Sequence, residues 1–215
     1  MKRIFLAILI FSILSITIVQ ASTDTISLWG LEWNHDPLTV YIKAPSDKIY
    51  DIKTTLNDWS NYLESASGNV VDNSEIGGSI ADNKFDFTFV NSARDADIVI
   101  NVQRTASFTG VLGITNPLDN NGDGYFDKVR INVKLGSTGA TNEDFKQNVR
   151  HEEGHALGLG HATNETDLMS AYFSSTDDLY PSVLDINAAL YIYGNDGFGL
   201  PNTLPIDIHP YYPYP

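Results

Sequence analysis

The chain has 215 residues, with 13 Lys+Arg against 27 Asp+Glu, a formal net charge of −14 and no cysteine. That length suits one domain with appendages, and 42% hydrophobic against 19% charged residues is the composition of a chain with a packed core. The acidity excludes a general nucleic-acid binder, which needs a basic surface. The missing cysteines exclude disulfides, thiolate catalysis, Cys-ligated zinc and iron–sulfur clusters, so a bound metal must be held by carboxylates and the five His.

Lys2 and Arg3 precede an apolar run from Ile4 to Val19, broken only by Ser and Thr and ending in Val19-Gln20-Ala21. This is the layout of a secretory signal peptide over 1–21. The alternative is an uncleaved anchor, for which the run is short against the ~20 residues of a spanning helix. A secreted, extracellular protein is expected. Leu38 to Ile42 reads as a strand. Ser46 opens a helix with Ile49, Ile52, Leu56, Trp59 and Leu63 on one stripe, ended by Gly68, and Gly68 to Asp82 reads as a loop. Phe85, Phe87 and Phe89 alternate with polar residues as in a half-buried strand, and Ala96 to Val102 reads as a more buried one. A glycine-punctuated loop is expected next, then a strand over Lys128 to Val133.

Thr141 opens a helix with Asp144 as its capping partner and Phe145, Val149 and Ala156 on its inner face. Ser182 and Asp185 repeat that spacing before a last helix carrying Ile186, Ala189, Leu190 and Tyr193 and stopped by Gly194. The order of elements predicts one α/β or α+β domain from about Ser27 to Gly194. The tail 195–215 holds five of the nine prolines and reads as extended and loosely attached.

Residues 151–161 read His-Glu-Glu-Gly-His-Ala-Leu-Gly-Leu-Gly-His. His151 and His155, four apart on a helix, point from one face and can grip one ion. Gly158 permits the backbone to break and swing His161 in as a third ligand. Three protein ligands leave a fourth position for water, the mark of a catalytic zinc site. Glu152, beside the first ligand, is placed to take the proton of that water as general base and pass it to the leaving amine. Five such fixed positions coincide by chance on the order of once in 10⁵ chains of this length. Decoration of an ordinary helix is therefore set aside. A pseudoenzyme that holds zinc and extended peptide without turnover is the alternative from another class, and the intact Glu152 argues against it.

This is the long metzincin motif, and the chain resembles that family and within it the matrixins. Asp167-Leu-Met169-Ser lies eight residues past His161, where metzincins place a methionine turn beneath the zinc, and Met169 is the only internal Met. Asp185 to Gly194 resembles the C-terminal matrixin helix, in which an Asp at the position of Asp185 braces that turn. The strand at Ala96 to Ile100 and the segment Trp33 to Ile42 also resemble matrixin openings.

The resemblance implies an α+β, zincin-like catalytic domain within 22–194. Its architecture would be a twisted five-stranded mixed sheet with three helices. It also implies a monomeric zinc endopeptidase acting on extended polypeptide, which would pair with the last strand before the active helix or with that strand's antiparallel edge partner. Tyr172, Phe173 and Tyr180 stand where they would line the specificity wall or pack in the core. The chain departs from many matrixins in lacking a cysteine latch, in having few residues between Ala21 and Trp33, in lacking histidines for a second zinc, and in carrying Ala162 and Ala171.

Asp119, Asn121, Asp123 and Asp127, with Gly124 at the sixth position and the Tyr125 carbonyl, match the start of a calcium loop. Arg130 stands where the bidentate Glu of a complete loop would be. The competing reading is a turn built from residues that tolerate a left-handed backbone. Asn164-Glu-Thr166 is a glycosylation sequon, a triplet too common to carry weight.

Overall fold

A computed structural model describes residues 24–67, 85–104, 112–135, 141–172, 179–194 and 206–208. The leader, the Gly68 to Asp82 loop, Phe173 and His209 lie outside the described residues. Strands β1 (Ile26–Leu28) and β2 (Leu38–Lys43) lead to helix α1 (Ser46–Ser67). Then come β3 (Phe87–Phe89), β4 (Ile98–Arg104), β5 (Gly113–Leu118) and β6 (Lys128–Leu135). Helix α2 (Asn142–Ala156), β7 (Leu159–Ala162), α3 (Val183–Gly194) and β8 (Ile206–Ile208) complete the order.

The main sheet has five strands in the order β3-β2-β4-β6-β5, parallel except for β5, which runs antiparallel against β6. With three helices this is the α+β arrangement expected. Val40, Ile98, Ile100, Val129, Ile131 and Val133 are buried from the sheet, and Ile52, Leu56, Trp59 and Leu63 from α1. Each such side chain contributes roughly 1.5–3 kcal/mol on leaving water. Phe145, Val149 and Ala156 supply the buried stripe of α2. Two indoles tie α2 in place: Trp59 donates to the Arg150 carbonyl at 2.9 Å, and Trp33 donates to the Ala156 carbonyl at 2.8 Å.

Both predicted caps form. Thr141 and Asp144 make a reciprocal capping box at α2. At α3 the Asp185 N–H donates to Ser182 Oγ at 3.1 Å and the Ser182 N–H to Asp185 Oδ2 at 2.9 Å. Such caps are worth about 1 kcal/mol each.

Two readings are corrected. The segment expected to be a glycine-punctuated loop contains β5; Gly113 and Pro117 hide the alternation, and an edge strand tolerates proline because only one side is paired. The tail is not simply loose: β8 pairs parallel with β1, which pairs antiparallel with β7 in a second, three-stranded sheet. Among the described residues no helix is long and apolar enough to cross a membrane.

Candidate metal centre and catalytic site

Helix α2 carries His151 and His155 on one face, one turn apart. The chain leaves the helix at Gly158, whose φ of +91° is a conformation that favours glycine. A side chain there would also strike the Leu31 carbonyl, since an added Cβ would stand 2.6 Å from its oxygen. The reversal feeds β7, and His161 in that strand swings back toward the helix. The ligating nitrogens of His151, His155 and His161 lie within 4.8 Å of one another. Among the described residues this is the only group of three or more His, Cys, Asp or Glu side chains so gathered.

The imidazoles are prepared for a cation. The Nδ1 atoms of His151 and His155 each lie 2.7 Å from a main-chain carbonyl, of Leu168 and Leu159 respectively. That contact requires a proton on Nδ1 and leaves the Nε2 lone pair to the cluster. Burial holds His151 down to about 4 against the pull of the Leu168 carbonyl. Burial and the neighbouring imidazoles lower His155, and burial lowers His161, the most exposed of the three. All three are neutral at neutral pH, the state a metal ligand needs. Three neutral, pre-oriented nitrogens are a donor set that fits zinc. Trp29, from the segment after β1, stacks on His155 with ring centroids 5.0 Å apart and planes 9° apart.

Met169, which follows the Leu168 whose carbonyl meets His151, is fully buried. Its turn is closed by the Ser170 N–H donating to the Asp167 carbonyl at 3.1 Å, and the Met169 N–H donates to Asp167 Oδ1 at 2.9 Å. The sequence reading has Asp185 bracing this turn. Asp185 reaches it through Asp167, whose carboxyl it faces. No donor among the described residues meets Asp185 Oδ1, as expected where two carboxyls share one proton. Burial first, and the Asp167 charge second, push the Asp185 carboxyl up to about 8 against the Ser182 hydrogen bonds.

Glu152 is buried, and that burial pushes its carboxyl up to about 7 while the Thr115 hydroxyl pulls it down. Glu153, next to it, is buried against α1, accepts from Thr55 Oγ1 at 3.0 Å and is raised by burial. Sequence reasoning assigned no role to Thr115, Gly154, Trp29 or Asp167. Thr115 lies in the segment read as loop, and the others carry no periodic signal.

Of the two candidate pairing strands, β6 is enclosed between β4 and β5, whereas among the described residues β5 has a partner on one side only. The Leu112 carbonyl accepts from the Lys134 N–H at 2.8 Å, which sets the alternation. Residues 114 and 116 therefore bond to β6, and 113, 115 and 117 turn their main-chain groups to the free edge. Pro117 has no N–H to offer there. Tyr172 is exposed; Tyr180 stacks on the Arg150 guanidinium, 4.0 Å from its ring centre.

In the acidic loop, Asp119 accepts from the N–H groups of Gly122 and Gly124, Asn121 from Asp123, and Asp123 from Tyr125. Asp127 accepts from the Asn120 N–H at 2.7 Å. Gly122 and Gly124 adopt φ of +73° and +88°. The five sequence-predicted residues are thus brought into one loop, and its hydrogen bonds are those of a self-sufficient turn.

A family model described as matrixin matches residues 32–194. Two solved structures of myroilysin are similar, at 15% and 14% identity. Each covers 75% of this chain, and 85% and 82% of their own lengths are covered, with a TM-score of 0.46 in both cases. No curated protein matches the chain.

Proposed function

The chain belongs to the matrixin family, whose members are metalloproteases, and from that basis we propose that it is a secreted, zinc-dependent endopeptidase cleaving extended polypeptides. The observation that carries this reading is the convergence of three neutral imidazoles, within 4.8 Å, beside a buried carboxylate. His151, His155 and His161 would hold the zinc. Bound there, zinc supplies Lewis acidity, easing deprotonation of water and polarising the scissile carbonyl.

The protein's own groups do the rest. The Leu168 and Leu159 carbonyls fix the tautomer and direction of two imidazoles. Glu152 accepts a proton from the attacking water and delivers it to the leaving amine. The free edge of β5 supports the substrate class: N–H groups at Gly113 and Thr115 and carbonyls at 113, 115 and 117 recognise the backbone of an extended peptide whatever its sequence. Secretion rests on the leader over 1–21. Calcium at Asp119, Asn121, Asp123, Tyr125 and Asp127 rests on that set of oxygens and on the left-handed Gly124 at the sixth position.

The test is a peptide-library cleavage profile of the mature protein, with and without a chelator. Internal cleavages that a chelator abolishes and zinc restores are expected. Zinc-loaded protein that binds library peptides and cuts none of them would leave the non-catalytic binding module as the answer.

A further inference from the structure

The face of β5 that turns toward α2 is shaped around Glu152. Gly113 and Thr115, two apart on a strand, share that face. Thr115 Oγ1 lies 2.6 Å from Glu152 Oε2 and 3.0 Å from the main-chain oxygen of the same residue, with both side chains buried. At Gly113 a Cβ would stand 2.6 Å from Glu152 Cγ and 2.7 Å from Cδ, inside the volume that the acid occupies. One residue leaves the space and the other fixes the carboxylate within it. We propose that Thr115 is a positioning residue for the general base, holding the Glu152 carboxylate in the one place that Gly113 leaves open for it. This rests on the reading of Glu152 as the base.

The threonine hydroxyl has one proton and two acceptors within reach, both on Glu152. The bond to carboxylate Oε2, at 2.6 Å, is charge-assisted and the stronger. The Glu152 main-chain carbonyl, 3.0 Å away, holds the same hydroxyl against the helix that carries the acid. The side chain is β-branched and buried, so its oxygen has little rotational freedom with which to leave. A contact serving only to fasten β5 to α2 would have no need for the second acceptor or for the vacant volume at Gly113.

The experiment compares wild type, Thr115→Val, which keeps the shape and removes the hydroxyl, and Thr115→Ser, which restores it. Each is measured as zinc-loaded protein of verified metal content, and wild type and Thr115→Val are also crystallised. The expectation for Thr115→Val is kcat lower by about 10- to 100-fold with KM nearly unchanged, the scale of a base displaced by about 1 Å. Zinc stoichiometry should be equal, and the Glu152 carboxyl should lie off its wild-type position in the crystal. Thr115→Ser should recover most of kcat. A Thr115→Val variant with wild-type kcat per zinc-loaded molecule, or a serine variant as impaired as the valine one, overturns the inference. If wild type shows no turnover, the proposed function fails, and the crystal structures still decide the seat. An unmoved Glu152 carboxyl in Thr115→Val would refute it.

Discussion

Gly154 lies inside α2 between His151 and His155, where glycine is a poor helix former. Gly154→Ala should gain about 1 kcal/mol of helix propensity. The surroundings oppose it. The new Cβ would stand 2.8 Å from Trp59 Cζ2 and 3.1 Å from Met169 Cε, and closer still to the Met169 sulfur. Neither neighbour can withdraw: both are fully buried, and the Trp59 indole is tied to the Arg150 carbonyl. Overpacking of a tight core costs about 1–3 kcal/mol, and two rigid neighbours argue for the upper end. The net expectation is destabilisation by about 1–2 kcal/mol, which for a domain of this size lowers Tm by roughly 2–8 °C. Thermal unfolding followed by circular dichroism at fixed zinc concentration measures it. The double variant with Met169→Ala sharpens the result: in that background Gly154→Ala should cost less, with a coupling of about 1 kcal/mol. An unchanged or raised Tm for Gly154→Ala alone would show that propensity wins and that the close approach is not what selects glycine.

Two further outcomes follow from the carboxylates. Asp185 has a folded value of about 8 against an ordinary 3.8, so the folded state holds its proton more tightly. Its contribution to stability is complete below about pH 4 and is lost as pH rises toward 8. Asp185→Asn keeps an oxygen for Ser182 and offers an N–H to Asp167, so the gap in Tm between the variant and wild type should shift in the variant's favour from pH 5.5 to 9; parallel profiles would refute the shared proton. At the acidic loop, calcium should raise Tm of wild type and not of an Asp119→Asn/Asp123→Asn double variant, and identical responses would leave the loop as a turn.

What the sequence disclosed and what it hid divide on physical grounds. The gathering of His151, His155 and His161 was legible because helix geometry converts spacing of four into a shared face, and a glycine at 158 signals the reversal that brings in the third imidazole. The caps of α2 and α3 were legible because capping is local chemistry. The count of five strands came from the resemblance, whose span of Trp33 to Gly194 agrees with the family match over 32–194. β5 was not legible from its residues, since glycine and proline interrupt its alternation, and β1, β7 and β8 are too short to show a period. Gly154 and Thr115 matter for what lies across from them in space, Met169 and Trp59 in one case and Glu152 in the other. Such close approaches leave no trace in a single chain.

The central claim is that three imidazoles and one carboxylate make a hydrolytic zinc centre. The most direct measurement pairs zinc content with peptide hydrolysis, from purified mature protein, for wild type and Glu152→Ala. The account predicts about one zinc per chain in both proteins, chelator-reversible hydrolysis by wild type, and a rate lower by at least about 10²-fold for the variant, the scale of a lost general base. A fully zinc-loaded wild type as inert as Glu152→Ala across a broad peptide set and pH range would contradict it.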